Sequence, residues 1–198
     1  MHLNIILAGV GGQGILTIAS VINHAAIQKG LHVRQAEVHG MSQRGGAVQS
    51  HLRISARKIY SDLISRGTSH LILSVEPLEA LRYLPYLSPK GKVVTATDPI
   101  VNMPGYPDLE AIFTELHRTD KPVLVSAAEH ARQAGNIRTS NMVMLGAAAP
   151  YTGITPADLE SGIEKLFLKK GADIIDMNIR AFRKGMELSQ SQHQASDT

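Results

Sequence analysis

Three groups of residues have the types and spacing to do chemistry. Gly9-Val10-Gly11-Gly12-Gln13-Gly14 carries the spacing of a dinucleotide-binding turn, in which exposed backbone N–H groups and the dipole of the following helix favour a phosphate. In that pattern Gly9 permits the tight turn, Gly11 and Gly12 let a ligand approach the backbone, and Gly14 lets helix pack on strand. The same glycines would also serve a turn that makes only a close contact with another protein chain. Ser42-Gln43-Arg44-Gly45-Gly46 is the second group. An arginine beside paired glycines presents a guanidinium next to unobstructed backbone donors, suited to a carboxylate or phosphate, or to an ion pair across an interface. Glu37 is the third, 23 residues beyond Gly14, near where a nicotinamide-dinucleotide site places its ribose-binding carboxylate. The paired glycines that follow it argue instead for an exposed, specially shaped loop.

Other chemistries fail on their own spacing. Gly9-x4-Gly14 mimics a P-loop, but Ile15 and Leu16 stand where Lys and Ser/Thr are required, so nothing reaches a terminal phosphate. Tyr86-x-x-x-Lys90 is broken by Ser88-Pro89. Gly40-x-Ser42-x-Arg44 lacks the second glycine of a nucleophile elbow. The nine histidines form no HExxH and no paired-ligand spacing, and Glu37 with His39 on one strand face makes two ligands, too few for a metal site. No metal is expected in this chain and no residue is assigned as catalytic. Ser140 or Asn141, before an apolar run, reads most simply as a helix N-cap.

These groups need elements to hold them. Leu3–Ala8 reads as a strand and Ile15–Ile27 as a helix, stopped by Lys29-Gly30. His32–Val38 resumes as a strand, giving a βαβ beginning. Gly40–Gly46 is a loop, and Ala47–Ser55 alternates with a strand's period. His70–Val75, Lys92–Thr97 and Pro122–Ser126 are further strands. Pro77–Leu87 and Leu109–His117 are helices, Ser88–Gly91 is a turn and Pro99–Pro107 a loop. Helices follow around Ala127–Ala134, Asn141–Ala149, Pro156–Leu168 and Ile174–Leu188. The expected fold class is α/β, a Rossmann-like open, mainly parallel sheet flanked by helices with a C-terminal helical portion. Residues 1–188 form one domain and 189–198 a disordered polar tail.

Composition narrows the function. With 198 residues and 43% hydrophobic content the chain can build a real core, and no apolar run is long enough for a membrane helix. The N-terminal run is too short for a secretory signal, which places the chain in the cytoplasm. Cysteine is absent, excluding disulfides, thiolate nucleophiles and cysteine-ligated clusters. Residues 1–60 hold six Lys and Arg against one acid, Glu37, a net +5, whereas the remainder carries 14 basic and 16 acidic groups. Something anionic is expected at the first third, a phosphorylated small ligand or an acidic partner rather than nucleic acid, since eight Phe and Tyr with no Trp offer few stacking platforms.

GVGGQGILTIASVI at 9–22, AEVHGMSQRGGAVQSHLRI at 36–54 and SNMVMLGAAA at 140–149 together resemble the beta subunit of indolepyruvate ferredoxin oxidoreductase and, more broadly, the gamma domain of the pyruvate and other 2-oxoacid ferredoxin oxidoreductases. The resemblance implies one subunit, inactive alone, of an enzyme that oxidatively decarboxylates aryl 2-oxoacids to acyl-CoA while reducing ferredoxin. It implies a hetero-oligomer with a large alpha subunit carrying thiamine diphosphate, magnesium and iron–sulfur clusters, with coenzyme A as co-substrate and ferredoxin engaged through the complex. The residues it would place at or beside the active site are Gly9, Gly11, Gly12, Gln13, Gly14, Ser42, Gln43, Arg44, Gly45, Gly46 and Asn141. A stand-alone NAD(P) dehydrogenase and a nucleotide-binding module are the alternatives.

Overall fold

The computed structural model describes residues 1–39 and 45–196. Its strands are β1 (His2–Val10), β2 (His32–His39), β3 (Ala47–Ser55), β4 (Ser69–Ser74), β5 (Leu87–Ala96) and β6 (Val123–Val125). They form one sheet in the order β2-β3-β1-β4-β5-β6. β3 runs against both β2 and β1, whereas β1, β4, β5 and β6 are joined in parallel. The sheet is therefore mixed but mainly parallel, with β3 as its reversed strand. β1 sits centrally and is buried from Leu3 to Val10, as a strand covered on both faces must be.

One face packs on α1 (Ile15–Gln28), α4 (Ala127–Gln133), α5 (Ser140–Ala148), α6 (Pro156–Phe167) and α7 (Ala172–Ser196), around Ile5, Leu7, Leu52 and Leu73. The other carries α2 (Pro77–Arg82) and α3 (Leu109–Leu116), around Ile6, Ile72 and Val93. α1 buries Ile15, Ile18, Ala19, Ile22, Ala25 and Ala26 at helical spacing. It ends as its sequence dictates: Gly30 takes a left-handed φ of 69°, and the Leu31 N–H returns to the Ala26 carbonyl at 3.1 Å. α5 is buried from Asn141 to Ala148, which fits a helix enclosed by neighbours rather than lying on a surface.

Four local expectations are corrected. β2 does not lie beside β1, because β3 is inserted between them. The helix expected over Pro77–Leu87 stops at Arg82 and continues as a 3₁₀ turn, Leu84–Tyr86, where Pro85 lacks the N–H that an α-helix needs. Ser88–Gly91 is not a free-standing turn but an irregular stretch inside β5: Ser69 pairs with Leu87 and Leu71 already pairs with Lys92, so the excess residues bulge, where Pro89 can do without a ladder bond. The polar tail is helical as far as Ser196. Ser189 is buried and the Gln192 side chain donates to the Leu124 carbonyl at 2.7 Å, so α7 has contacts that the composition did not reveal.

Candidate functional site

All parallel strands point their C-terminal ends to one edge of the sheet, and the glycine turn leaves β1 there. Gly9 is not the turn residue. It lies within β1, and a Cβ on it would collide with the Val75 side chain and come within 2.9 Å of the Gln13 amide oxygen. The turn itself is made by Gly12 and Gly14, at φ 101° and 78°, conformations that cost L-residues about 1–2 kcal/mol. Gly14 caps α1 and is also pressed against Asn141, whose side-chain nitrogen donates to the Gly14 carbonyl at 3.3 Å.

Gln13 closes the turn from inside. Its Oε1 accepts the Val10 N–H at 2.7 Å and its Nε2 donates to the Val75 carbonyl at 2.8 Å. The backbone donors expected to face a phosphate are partly engaged: the Gly11 N–H goes to the Gly46 carbonyl at 2.9 Å and the Gln13 N–H to the Val10 carbonyl at 3.2 Å. At Gly11, one of the two glycines expected to open the backbone to a ligand, the N–H is thus taken by protein backbone. The N-cap reading of Asn141 is corrected. The N-cap position of its helix is Thr139, which makes no side-chain capping bond, and the buried Asn141 side chain holds the turn from behind.

The bond from Gly11 to Gly46 joins the two glycine groups that the sequence marked. Gly45, at φ 77°, gives its carbonyl to the Asn102 side chain. Ser42, Gln43 and Arg44, with Gly40 and Met41, lie outside the described residues. Glu37 ends up two strands from β1, roughly 9–10 Å across the sheet, so the nicotinamide-type pairing of glycine turn and carboxylate does not form.

Sequence reasoning missed Glu76 and Asn102. Glu76 follows β4, is 1% exposed and caps α2, with Oε2 accepting the Glu79 N–H at 2.8 Å. Its Oε1 accepts the Tyr106 hydroxyl and, at 3.4 Å, the Ile100 N–H. Burial, followed by the bond to Glu76, holds the Tyr106 phenol well above its usual range. Nearby, burial raises the Glu79 carboxyl against the opposing pull of Arg82, which it grips through two bonds at 3.0 and 3.2 Å. The signal for Glu76 was a carboxylate directly before Pro77 at a strand-to-helix junction. Nothing local announces Asn102.

Beside the turn a cavity of about 260 Å³ opens among Gln13, Val75, Asp98, Ile100, Ser140 and Met144. Around this same edge stand exposed apolar side chains: Leu16 on the first turn of α1, Val38 near the end of β2, Val101 and Met103 beside Asn102, and Ile137. Among the described residues no three His, Asp or Glu group together as metal ligands, and no helix is long and apolar enough to cross a membrane.

Residues 4–188 match the pyruvate ferredoxin/flavodoxin oxidoreductase family. The chain belongs to that family. Over 192 residues it is 40% identical to the indolepyruvate oxidoreductase subunit IorB of Methanothermobacter thermautotrophicus, covering 93% of this chain and 96% of that one. The fold matches a 2-oxoglutarate:ferredoxin oxidoreductase from Magnetococcus marinus, solved with 2-oxoglutarate, coenzyme A and succinyl-CoA bound, at a TM-score of 0.75 and 24% identity, covering 96% of this chain but only 31% of the larger one. It also matches a keto/oxoacid ferredoxin oxidoreductase gamma subunit from Geobacter sulfurreducens at a TM-score of 0.69 and 22% identity, over 96% of this chain and 99% of that one.

Proposed function

We propose that this chain is the small subunit of a thiamine-dependent indolepyruvate (aryl 2-oxoacid) ferredoxin oxidoreductase, and that it shapes one wall of an active site whose cofactors belong to a large partner. The observation that carries the reading is its near full-length kinship with IorB. The chain has no cysteine, so its donor set does not fit an iron–sulfur cluster. Thiamine diphosphate, magnesium and the clusters, in the large subunit, supply decarboxylation and electron transfer, with coenzyme A as acyl acceptor.

This chain's part is positional. The joined glycine groups give a close-lying backbone surface at the sheet edge, and the apolar side chains around it favour cover by a partner. Arg44, which directly precedes Gly45–Gly46 in the sequence, is assigned to an anionic part of the oxoacid or coenzyme A, or to a carboxylate of the partner. With its large subunit co-expressed, the complex is expected to reduce ferredoxin with indolepyruvate and phenylpyruvate at kcat/KM values at least tenfold above those for pyruvate and 2-oxoglutarate. Equal or better use of the small oxoacids would contradict the assignment to aryl substrates.

A further inference from the structure

The Gly45–Gly46 backbone is held by a chain of contacts that starts at a buried carboxylate. Glu76 takes Ile100 N–H at 3.4 Å and the Tyr106 hydroxyl on the same oxygen, so the connection between β5 and α3 is pinned at two points six residues apart. Asn102 lies between the pins and donates to the Gly45 carbonyl. The next carbonyl, that of Gly46, receives the Gly11 N–H at 2.9 Å.

Asn102 is solvent-exposed, and an exposed side chain held by nothing else would lose rotamer freedom to make this bond. The pins at Ile100 and Tyr106 remove much of that cost in advance. Glu76 is itself fixed, because its second oxygen caps α2 through the Glu79 N–H. Val101 and Met103, on either side of Asn102, are 70% and 46% exposed. Their apolar surface adds little to the chain's own packing, so the stretch around Asn102 is held by its flanking pins, of which Tyr106 also packs on the core.

We propose that Glu76, Tyr106 and Asn102 form a clasp that positions the Gly45–Gly46 backbone on the glycine turn, making all three positioning residues for the active-site wall. The inference rests on the reading that this edge borders the partner's catalytic pocket.

Two variants test it: Tyr106→Phe, which removes one pin, and Asn102→Asp, which removes the amide donor at nearly constant shape. In the full-length chain, the Gly11 amide should exchange its hydrogen roughly tenfold faster in each, the equivalent of losing one supporting hydrogen bond, while amides of central β4 keep their protection. In the complex with the large subunit, the KM for oxoacid or coenzyme A should rise several-fold with kcat within about twofold, the pattern of lost ground-state positioning. Asn102→Gln, which keeps a donor, should recover part of both effects. Unchanged Gly11 exchange overturns the clasp, as does faster exchange with an unaltered KM, which would leave only a loop-packing role. Normal kinetics in Arg44→Ala beside a raised KM in the clasp variants would remove the role given to Arg44 and leave the clasp standing.

Discussion

Gln13 and Gly14 show how a sequence that looks made for phosphate is used to hold backbone. The Gln13 amide satisfies one N–H and one carbonyl of neighbouring strand ends, and leaving both without partners costs about 1–3 kcal/mol each. Gln13→Leu is therefore expected to lower stability by roughly 2–4 kcal/mol, measured by urea unfolding; a loss below 1 kcal/mol would show that water replaces the amide. Gly14→Ala combines a left-handed φ with the collision against Asn141. Pairing it with Asn141→Ala should recover the steric share and leave the backbone share of about 1–2 kcal/mol. Arg44→Ala is a separate matter. It should weaken use of oxoacid or coenzyme A, or assembly with the large subunit, while the isolated fold melts as before. Wild-type kinetics in an intact complex would remove that role.

At the scale of elements, two contacts carry most of the risk. α5 and α7 cross at Gly146 and Gly185, where a Cβ would strike the Phe182 and Val143 carbonyl oxygens respectively. Backbone lies on both sides, so neither helix can yield locally. Gly146→Ala is expected to cost about 3 kcal/mol and to lower the melting midpoint by roughly 6–12 °C; a shift under 2 °C would mean the helices slide apart easily.

The second is a pair of histidine bonds, one holding the segment after β3 and one joining β1 to β4. His51 Nδ1 accepts the Ile64 N–H at 2.9 Å and His70 Nδ1 accepts the Asn4 N–H at 3.0 Å. Burial lowers both imidazoles below the ordinary 6.5, with the neighbouring His2 adding to the shift at His70. The folded state then binds fewer protons than the unfolded chain just below pH 6.5. This contribution is full above pH 6.5 and is lost as pH falls from there toward the folded-state values. Glu79, raised by burial, acts in the opposite sense as pH rises above its ordinary 4.5, so wild type and His51→Gln must be compared at each pH. The variant should show a shallower loss of urea resistance between pH 6.5 and 5; parallel curves would rule His51 out.

Much of this level was legible beforehand, because a buried strand such as Leu3–Ala8 and a helix such as Ile15–Ile27 announce themselves by local apolar spacing. What was not legible depends on distant partners. The insertion of β3 beside β1 is a choice among pairings, the bulge at Ser88–Gly91 is set by the register with β4, and the helical tail depends on Gln192 meeting Leu124. The site divides the same way. Both glycine groups and Asn141 were visible as residues, but their joining through Gly11 and Gly46, and the roles of Glu76 and Asn102, come from strand order.

For the molecule as a whole, the family match over residues 4–188 and the near full-length kinship with a subunit of an indolepyruvate oxidoreductase make it a subunit-type domain, and the exposed apolar edge is the surface it offers a partner. Its sheet edge is positioned from within, by Gln13 and Asn141, and from one flank by Asn102. The most direct measurement is co-expression with the large subunit, followed by size-exclusion chromatography with iron analysis and a ferredoxin-reduction assay across the fractions. Iron should elute with the large subunit and oxoacid-dependent turnover only where both chains are present, and the purified 198-residue chain should carry neither. Redox turnover by that chain alone would contradict the account.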